Sequence, residues 1–223
     1  MGGFDQVYRE SSEFFGAEPD PLVRDYRTEF PPRRRVLDVG AGQGSNALWL
    51  ARAGLSVDAI DPAQVAVDSI SAVAADEGLD VTALCSTFDE HEPPPEGYGA
   101  VLVMGLLQVL RREAIDLLVG CLSQWTQEDS VVLATAFTSS DPGYARHRAT
   151  WQQIGDGSFS NGDQVRTYLA LGELRHLFDD TLFREMHYRE YEGPEHRHAD
   201  GPSHHHALVE GVFVRRPAHL SNQ

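Results

Sequence analysis

Two clusters of residues in the sequence have types and spacing suited to chemistry. The first, Val36-Leu-Asp-Val-Gly-Ala-Gly-Gln-Gly-Ser-Asn46, runs from an apolar, strand-like stretch through Gly40, Gly42 and Gly44 into a helical pattern. Glycines at the carboxyl end of a strand let backbone approach a ligand closely, and a helix starting there presents unpaired N–H groups. A nucleotide-like ligand belongs at such a loop. The spacing is GxGxG, whereas the dinucleotide fingerprint is GxGxxG, and Ser45 stands where that fingerprint needs its third small residue. Asp38, just inside the loop, would repel a pyrophosphate but suits a ligand carrying an ammonium group. The next strand-like run ends in Ala59-Ile-Asp61, which sets a carboxylate where it can accept hydrogen bonds from both hydroxyls of a ribose. Asp61 serves any adenosine ligand. Asp38 and the missing third glycine turn the reading away from a nicotinamide-dependent oxidoreductase.

The second cluster is imidazole. Six of the ten histidines lie between His187 and His206: His187, His196, His198, His204, His205 and His206. In extended chain, His196 and His198 share one face, as do His204 and His206. Two such pairs flanking the turn Ala199-Asp-Gly-Pro202 would supply three or four ligands to one transition metal, namely His196, His198, His204 and His206. The same residues also fit a general base, a substrate-orienting group or a polar hairpin lip without metal.

The elements that must position these groups alternate. Strand-like runs at Val36 to Val39, Ser56 to Ile60, Val81 to Cys85, Ala100 to Met104 and Ser130 to Phe137 are separated by helical patterns at Asn46 to Ala53, Ala63 to Ala75 and Arg111 to Trp125. This rhythm predicts an α/β fold, a Rossmann-like doubly wound, mostly parallel sheet. One domain over 1–223 accommodates it. Residues 1–30 read as an amphipathic helical cap, 34–137 as the cofactor-binding core, and 139–170 as an aperiodic lid or substrate loop. Residues 171–216 read as a helix followed by a His-rich antiparallel hairpin at a sheet edge.

The sequence resembles the class I S-adenosylmethionine-dependent methyltransferases, and more narrowly a tellurite-resistance-like branch of small-molecule methyltransferases. The resemblance is carried by Phe4-Asp-Gln-Val-Tyr8, Phe15-Gly-Ala-Glu-Pro19, Leu37 to Ala51, Asp58-Ala-Ile-Asp61, Gly172-Glu-Leu-Arg175 and Ala207 to Val214. It implies a seven-stranded sheet with S-adenosylmethionine across the carboxyl ends of the first, second and fourth strands. Asp38, Gly40 and Gly42 would line the methionine end, with Gly44 and Asn46 completing the loop and helix start. Asp61 and Pro62 would meet the ribose, and Met104, Gly105 and Leu106 would pass beside the sulfonium. Members generally carry an acid after the third strand for the adenine amino group. Here the text is Cys85-Ser-Thr-Phe-Asp89, so Ser86, Thr87 or Phe88 takes that place, or Asp89 swings in.

Methyl transfer from a sulfonium asks mainly for alignment, which supplies about 7 to 11 kcal/mol, and for a base only when the acceptor is protonated. His204 and His206 are the first choices for that base, since an unperturbed imidazole titrates near pH ~6.5. Tyr8, Trp151, Phe159 and His187 are candidate substrate contacts. Arg146, Arg148 and Arg166 read either as an anion pocket or as solvated surface.

Composition narrows the remaining classes. The chain has 223 residues and a net charge of −16, and all 18 cations are arginine. Without lysine there is no Schiff base, no covalent pyridoxal phosphate and no P-loop. The acidic field disfavours nucleic acid as a partner. No apolar run approaches a membrane span, and the first thirty residues carry neither signal nor anchor pattern. Cys85 and Cys121, in apolar runs, read as buried thiols of a reducing, cytoplasmic compartment. The expected function is methyl transfer to a heteroatom or activated carbon of a small-molecule acceptor, in specialised metabolism or detoxification. The alternative is a non-catalytic S-adenosylmethionine-binding or metal-sensing module. Neither the acceptor nor the oligomeric state is legible.

Overall fold

A computed structural model describes residues 8, 18–178, 180–195 and 205–217. Its centre is a seven-stranded sheet in the order β3-β2-β1-β4-β5-β10-β9. Strands β1 (Val36–Val39), β2 (Val57–Asp61), β3 (Val81–Cys85), β4 (Tyr98–Val103) and β5 (Thr126–Phe137) are parallel. Strand β10 (Ala207–Arg215) runs antiparallel between β5 and β9 (Phe183–Glu192). Every residue of β1 and β4 is buried, as expected of strands covered on both faces.

Helices α1 (Pro21–Tyr26), α2 (Ser45–Arg52) and α3 (Gln64–Glu77) cover one face, burying Leu22, Val23, Leu48, Leu50 and Ile70 against Val36, Ala59, Leu102, Leu133 and Val212. Helix α4 (Arg112–Trp125) covers the other through Ile115, Leu118, Leu122 and Trp125, spaced three and four apart so that they form one stripe. Helix α6 (Glu173–Leu177) joins that layer through Leu174.

The segment expected to be an aperiodic loop is instead folded. It contains helix α5 (Pro142–Thr150) and a separate three-stranded sheet of β6 (Gln152–Gly155), β7 (Ser158–Ser160) and β8 (Val165–Thr167). Strands this short show no readable period, which is why the sequence pattern misses them. Arg112 anchors the unit. Its guanidinium donates to the carbonyls of Asp156 at 2.6 Å and Tyr168 at 2.9 Å and pairs with Glu173. Leu169 N–H donates to Phe137 O at 2.9 Å, fastening the unit to the carboxyl end of β5.

Cys85 also departs from expectation. It lies on the sheet-edge strand β3 and is exposed, whereas Cys121 is half-buried. Among the described residues no helix is long and apolar enough to cross a membrane. Beneath the outer strands, Phe178 stacks on Phe213 at 3.9 Å and meets Phe183 edge-on at 5.4 Å. Gly211 makes room for this, because a Cβ there would lie 2.6 Å from the Phe213 ring. Phe178→Ala should therefore cost about 3 to 5 kcal/mol of unfolding free energy, read from urea denaturation midpoints.

Candidate functional site at the carboxyl edge of the sheet

The glycine loop leaves the tip of β1 with Gly40, Gly42 and Gly44 at φ of 68°, 54° and 85°, a region that L side chains rarely adopt. Space forbids side chains here as well. A Cβ on Gly44 would lie 2.6 Å from Ile70, and one on Gly42 would lie 3.1 Å from the Tyr8 hydroxyl. At Gly40 the same atom would lie 3.0 Å from Leu106, so the loop after β4 closes against the glycine loop.

Asp61, at the tip of β2, is buried and accepts Gly42 N–H and Ala63 N–H at 2.8 Å each. Asp38 lies deeper, 2% exposed, and its Oδ2 has no hydrogen-bond partner among the described residues. Burial first, and the charge of Asp61 second, push the Asp38 carboxyl up to about 7, with a hydrogen bond from the Ala47 amide opposing. Tyr8 packs on Ala63 and Ala66 at the start of α3. Burial and Asp61 raise its phenol above the ordinary range, so it stays protonated at neutral pH.

Other residues singled out in the sequence are placed as follows. Asn46 accepts Asp20 N–H at 2.8 Å through Oδ1, so its carboxamide tethers the cap segment to the loop helix. Ser86 N–H donates to Asp61 O, while its hydroxyl donates to Thr87 O at 3.0 Å. Thr87 is half-buried, Phe88 packs into the same cluster as Leu106, and Pro62 is exposed. Gly105, at φ 65°, donates its N–H to Thr135 Oγ1 at 2.9 Å, tying the β4 loop, with Met104 and Leu106, to β5.

Further along the same edge, His206 immediately precedes β10. Its ring stacks on Phe137 at 4.2 Å, and Nδ1 lies 2.8 Å from Asp141 Oδ2. Asp141 caps α5 by accepting Gly143 N–H at 2.7 Å and also accepts Ala207 N–H at 3.1 Å. Burial alone would raise the Asp141 carboxyl, but these hydrogen bonds, led by that from His206, hold it below its usual value. Beside it, His147 Nδ1 meets the Tyr168 hydroxyl at 2.7 Å, and Trp151 stacks on the His147 ring at 4.1 Å. Burial, then Arg146 and Arg166, lower the His147 imidazole.

Phe159 is 1% exposed and packs with Tyr144 and Tyr168 inside the small sheet, not on an open wall. Arg146 and Arg148 are exposed, whereas Arg166 is half-buried with its guanidinium on Val165 O. His187 Nε2 donates to Glu210 at 2.8 Å, and Arg189 pairs with the same oxygen at 3.0 Å.

The metal expectation finds no support. Among the described residues no group of three His, Cys, Asp or Glu side chains could hold an ion. His196, His198 and His204 lie outside the described residues. Asp141, Thr135 and Glu210 are the residues that sequence reasoning missed. Asp141-Pro-Gly143 carries only the signature of a helix start, and Thr135 and Glu210 sit inside strand patterns.

Residues 36–129 match the family described as a methyltransferase domain. No curated protein matches the chain. Among solved structures, a SAM-dependent methyltransferase from Methanosarcina mazei aligns with a TM-score of 0.74 at 16% identity, covering 90% of this chain and 100% of its own. A structure described for the conversion of a disulfide bond into a thioacetal group during echinomycin biosynthesis aligns at 0.68 and 20% identity, covering 96% and 91%. The 1,6-didemethyltoxoflavin-N1-methyltransferase of Burkholderia thailandensis, with S-adenosylhomocysteine bound, aligns at 0.64 and 15% identity, covering 89% and 77%. The likenesses establish a Rossmann-like methyltransferase fold. With the domain match, they support an enzyme.

Asp38 yields a pH prediction. Its carboxyl titrates near 7 in the folded chain against 3.8 ordinarily, so between those values the folded state holds the extra proton and stability falls as pH rises. Asp38→Asn should match the parent near pH ~3, gain on it steadily from pH ~4 to ~7, and exceed it by roughly 4 kcal/mol near pH ~8, read from urea midpoints.

Proposed function

We propose that the chain is an S-adenosylmethionine-dependent methyltransferase that acts on a heteroatom or activated carbon of a small-molecule acceptor. The observation that carries this reading is the buried, unpartnered Asp38 Oδ2 beside a glycine cradle that any Cβ would fill. A buried carboxylate oxygen without a donor is costly, and an ammonium group arriving over Gly40 and Gly42 offsets that cost. The same charge would oppose a pyrophosphate. Asp61, at the tip of β2, holds the Gly42 and Ala63 amides and is the carboxylate we assign to the ribose hydroxyls, and Tyr8 covers this end.

When bound, S-adenosylmethionine supplies a methyl carbon made electrophilic by its sulfonium, and the carbon–sulfur pair leaves with sulfur as the new bond to the acceptor forms. The chain's part is alignment and exclusion of water. The loop Met104 to Leu106, pinned by Thr135, sets the floor between the cofactor and the end of β5. His206 lies beyond that loop over Phe137, and residues 139–170 serve as a folded lid with Arg112 as its anchor. A net charge of −16 suits a small molecule better than a nucleic-acid backbone. The small heterocycle methylated by the Burkholderia neighbour, and the echinomycin neighbour, lend support to a role in specialised metabolism.

Calorimetric titration with S-adenosylhomocysteine should show one site, with Asp38→Asn and Asp61→Ala each weakening it by about 1.5 to 3 kcal/mol and NAD not binding. Unchanged affinity in both variants would remove the ligand from this loop. Labelled S-adenosylmethionine offered with thiol, phenol and amine acceptors should yield S-adenosylhomocysteine. Tight binding with no product from any acceptor would leave a non-catalytic module.

A further inference from the structure

We infer that Asp141 and His206 form a proton-accepting pair, in which Asp141 positions His206 so that its Nε2 takes the proton of an acceptor that reaches the site as an alcohol, phenol, amine or thiol. The inference rests on the methyl-transfer reading above and specifies its acceptor class.

Placement comes first. Strands β4, β5 and β10 are neighbours, and the register sets Val103, Ala134 and Gly211 level, so the start of β10 is about 10 Å across from the end of β4 and about 13 Å further out along the strand direction. Thr135, bonded to Gly105 of the β4 loop, and Phe137, under the His206 ring, are alternate residues on one face of β5. His206 thus lies over Phe137, two residues beyond Thr135 on the same face of β5, outward from the loop that Thr135 pins. Its side chain is 21% exposed, within reach of a small molecule, while that of Asp141 is 2% exposed.

Chemistry comes second. An ionised carboxylate only accepts, so the contact from Nδ1 to Asp141 puts the neutral imidazole's proton on Nδ1 and its lone pair on Nε2. Stacking on Phe137 holds the ring plane, and the Gly143 and Ala207 amides hold the carboxylate. When the proton moves from the acceptor heteroatom to Nε2, the heteroatom keeps its electron pair for the bond to the methyl carbon. Asp141 faces the resulting imidazolium, and the proton passes to water when product leaves.

His187, in the middle of β9, and His147, on α5, are built differently. His187 shares Glu210 with Arg189, a guanidinium that already neutralises that carboxylate. His147 meets a phenol, with Arg146 and Arg166 disfavouring its cation. No arginine is paired with Asp141 among the described residues.

Nitrogen-15 spectra of histidine-labelled protein, with the His206 signals assigned by their loss in His206→Gln, test the pair without any acceptor. The parent should show His206 protonated on Nδ1 and bare on Nε2, and Asp141→Ala should lose that Nδ1–H signature. Asp141→Asn retains an oxygen to cap α5 and guards against loss of fold. With the acceptor identified by turnover, kcat should fall by about 10²- to 10⁴-fold in Asp141→Ala. Its KM and S-adenosylhomocysteine affinity should stay within about threefold. Added imidazole should restore part of kcat to His206→Gly. A parent His206 that carries its neutral proton on Nε2, or an Asp141→Ala kcat within about threefold of the parent, overturns the pair. Absence of S-adenosylhomocysteine binding by the parent chain would instead overturn the function on which it rests, and the spectra would still report the geometry.

Discussion

The carboxylate of Asp61 joins the tip of β2 to the glycine loop that leaves β1, through the amides of Gly42 and Ala63. A loop with three left-handed residues has few local restraints of its own, and these two charge-assisted bonds supply them. The bonds need the charge to be buried, and a buried charge acts on its neighbours at low dielectric. Asp38 is pushed toward neutrality and the Tyr8 phenol is held protonated, both partly by Asp61. One carboxylate therefore shapes the loop and sets the electrostatics of the pocket that the loop frames.

The remaining architecture holds this edge open at one end and closed at the other. Parallel strands bring three loops to a common rim, as doubly wound sheets do. The antiparallel pair β9 and β10 extends the rim and brings His206 and Ala207 against Asp141. The unit between β5 and α6 is fastened to the sheet edge and to Arg112, which set its position.

Much of the core was legible because its signals are local. Alternating strand and helix patterns, the GxGxG spacing and acids at two successive strand ends all fall within a few residues of one another. The seven-stranded, mostly parallel sheet and the late antiparallel pair at its edge agree with the structure. The unit over 139–170 was not legible, since three-residue strands have no period and their stability comes from Arg112, far away in sequence. Cys85 misled for a related reason. An apolar run looks the same whether its strand is central or, like β3, at the edge.

The sequence by itself determined the fold class and marked the glycine loop and the two strand-tip acids, because backbone freedom at glycine and a charge at a strand tip are properties of single positions. Only the tertiary structure decided which polar groups meet across distance. It turned Asn46 to Asp20, left Asp38 Oδ2 without a donor, and set Asp141 against a histidine 65 residues away. Hydrogen-bond partners at such separations depend on strand order and register, which side-chain periodicity within one strand does not encode.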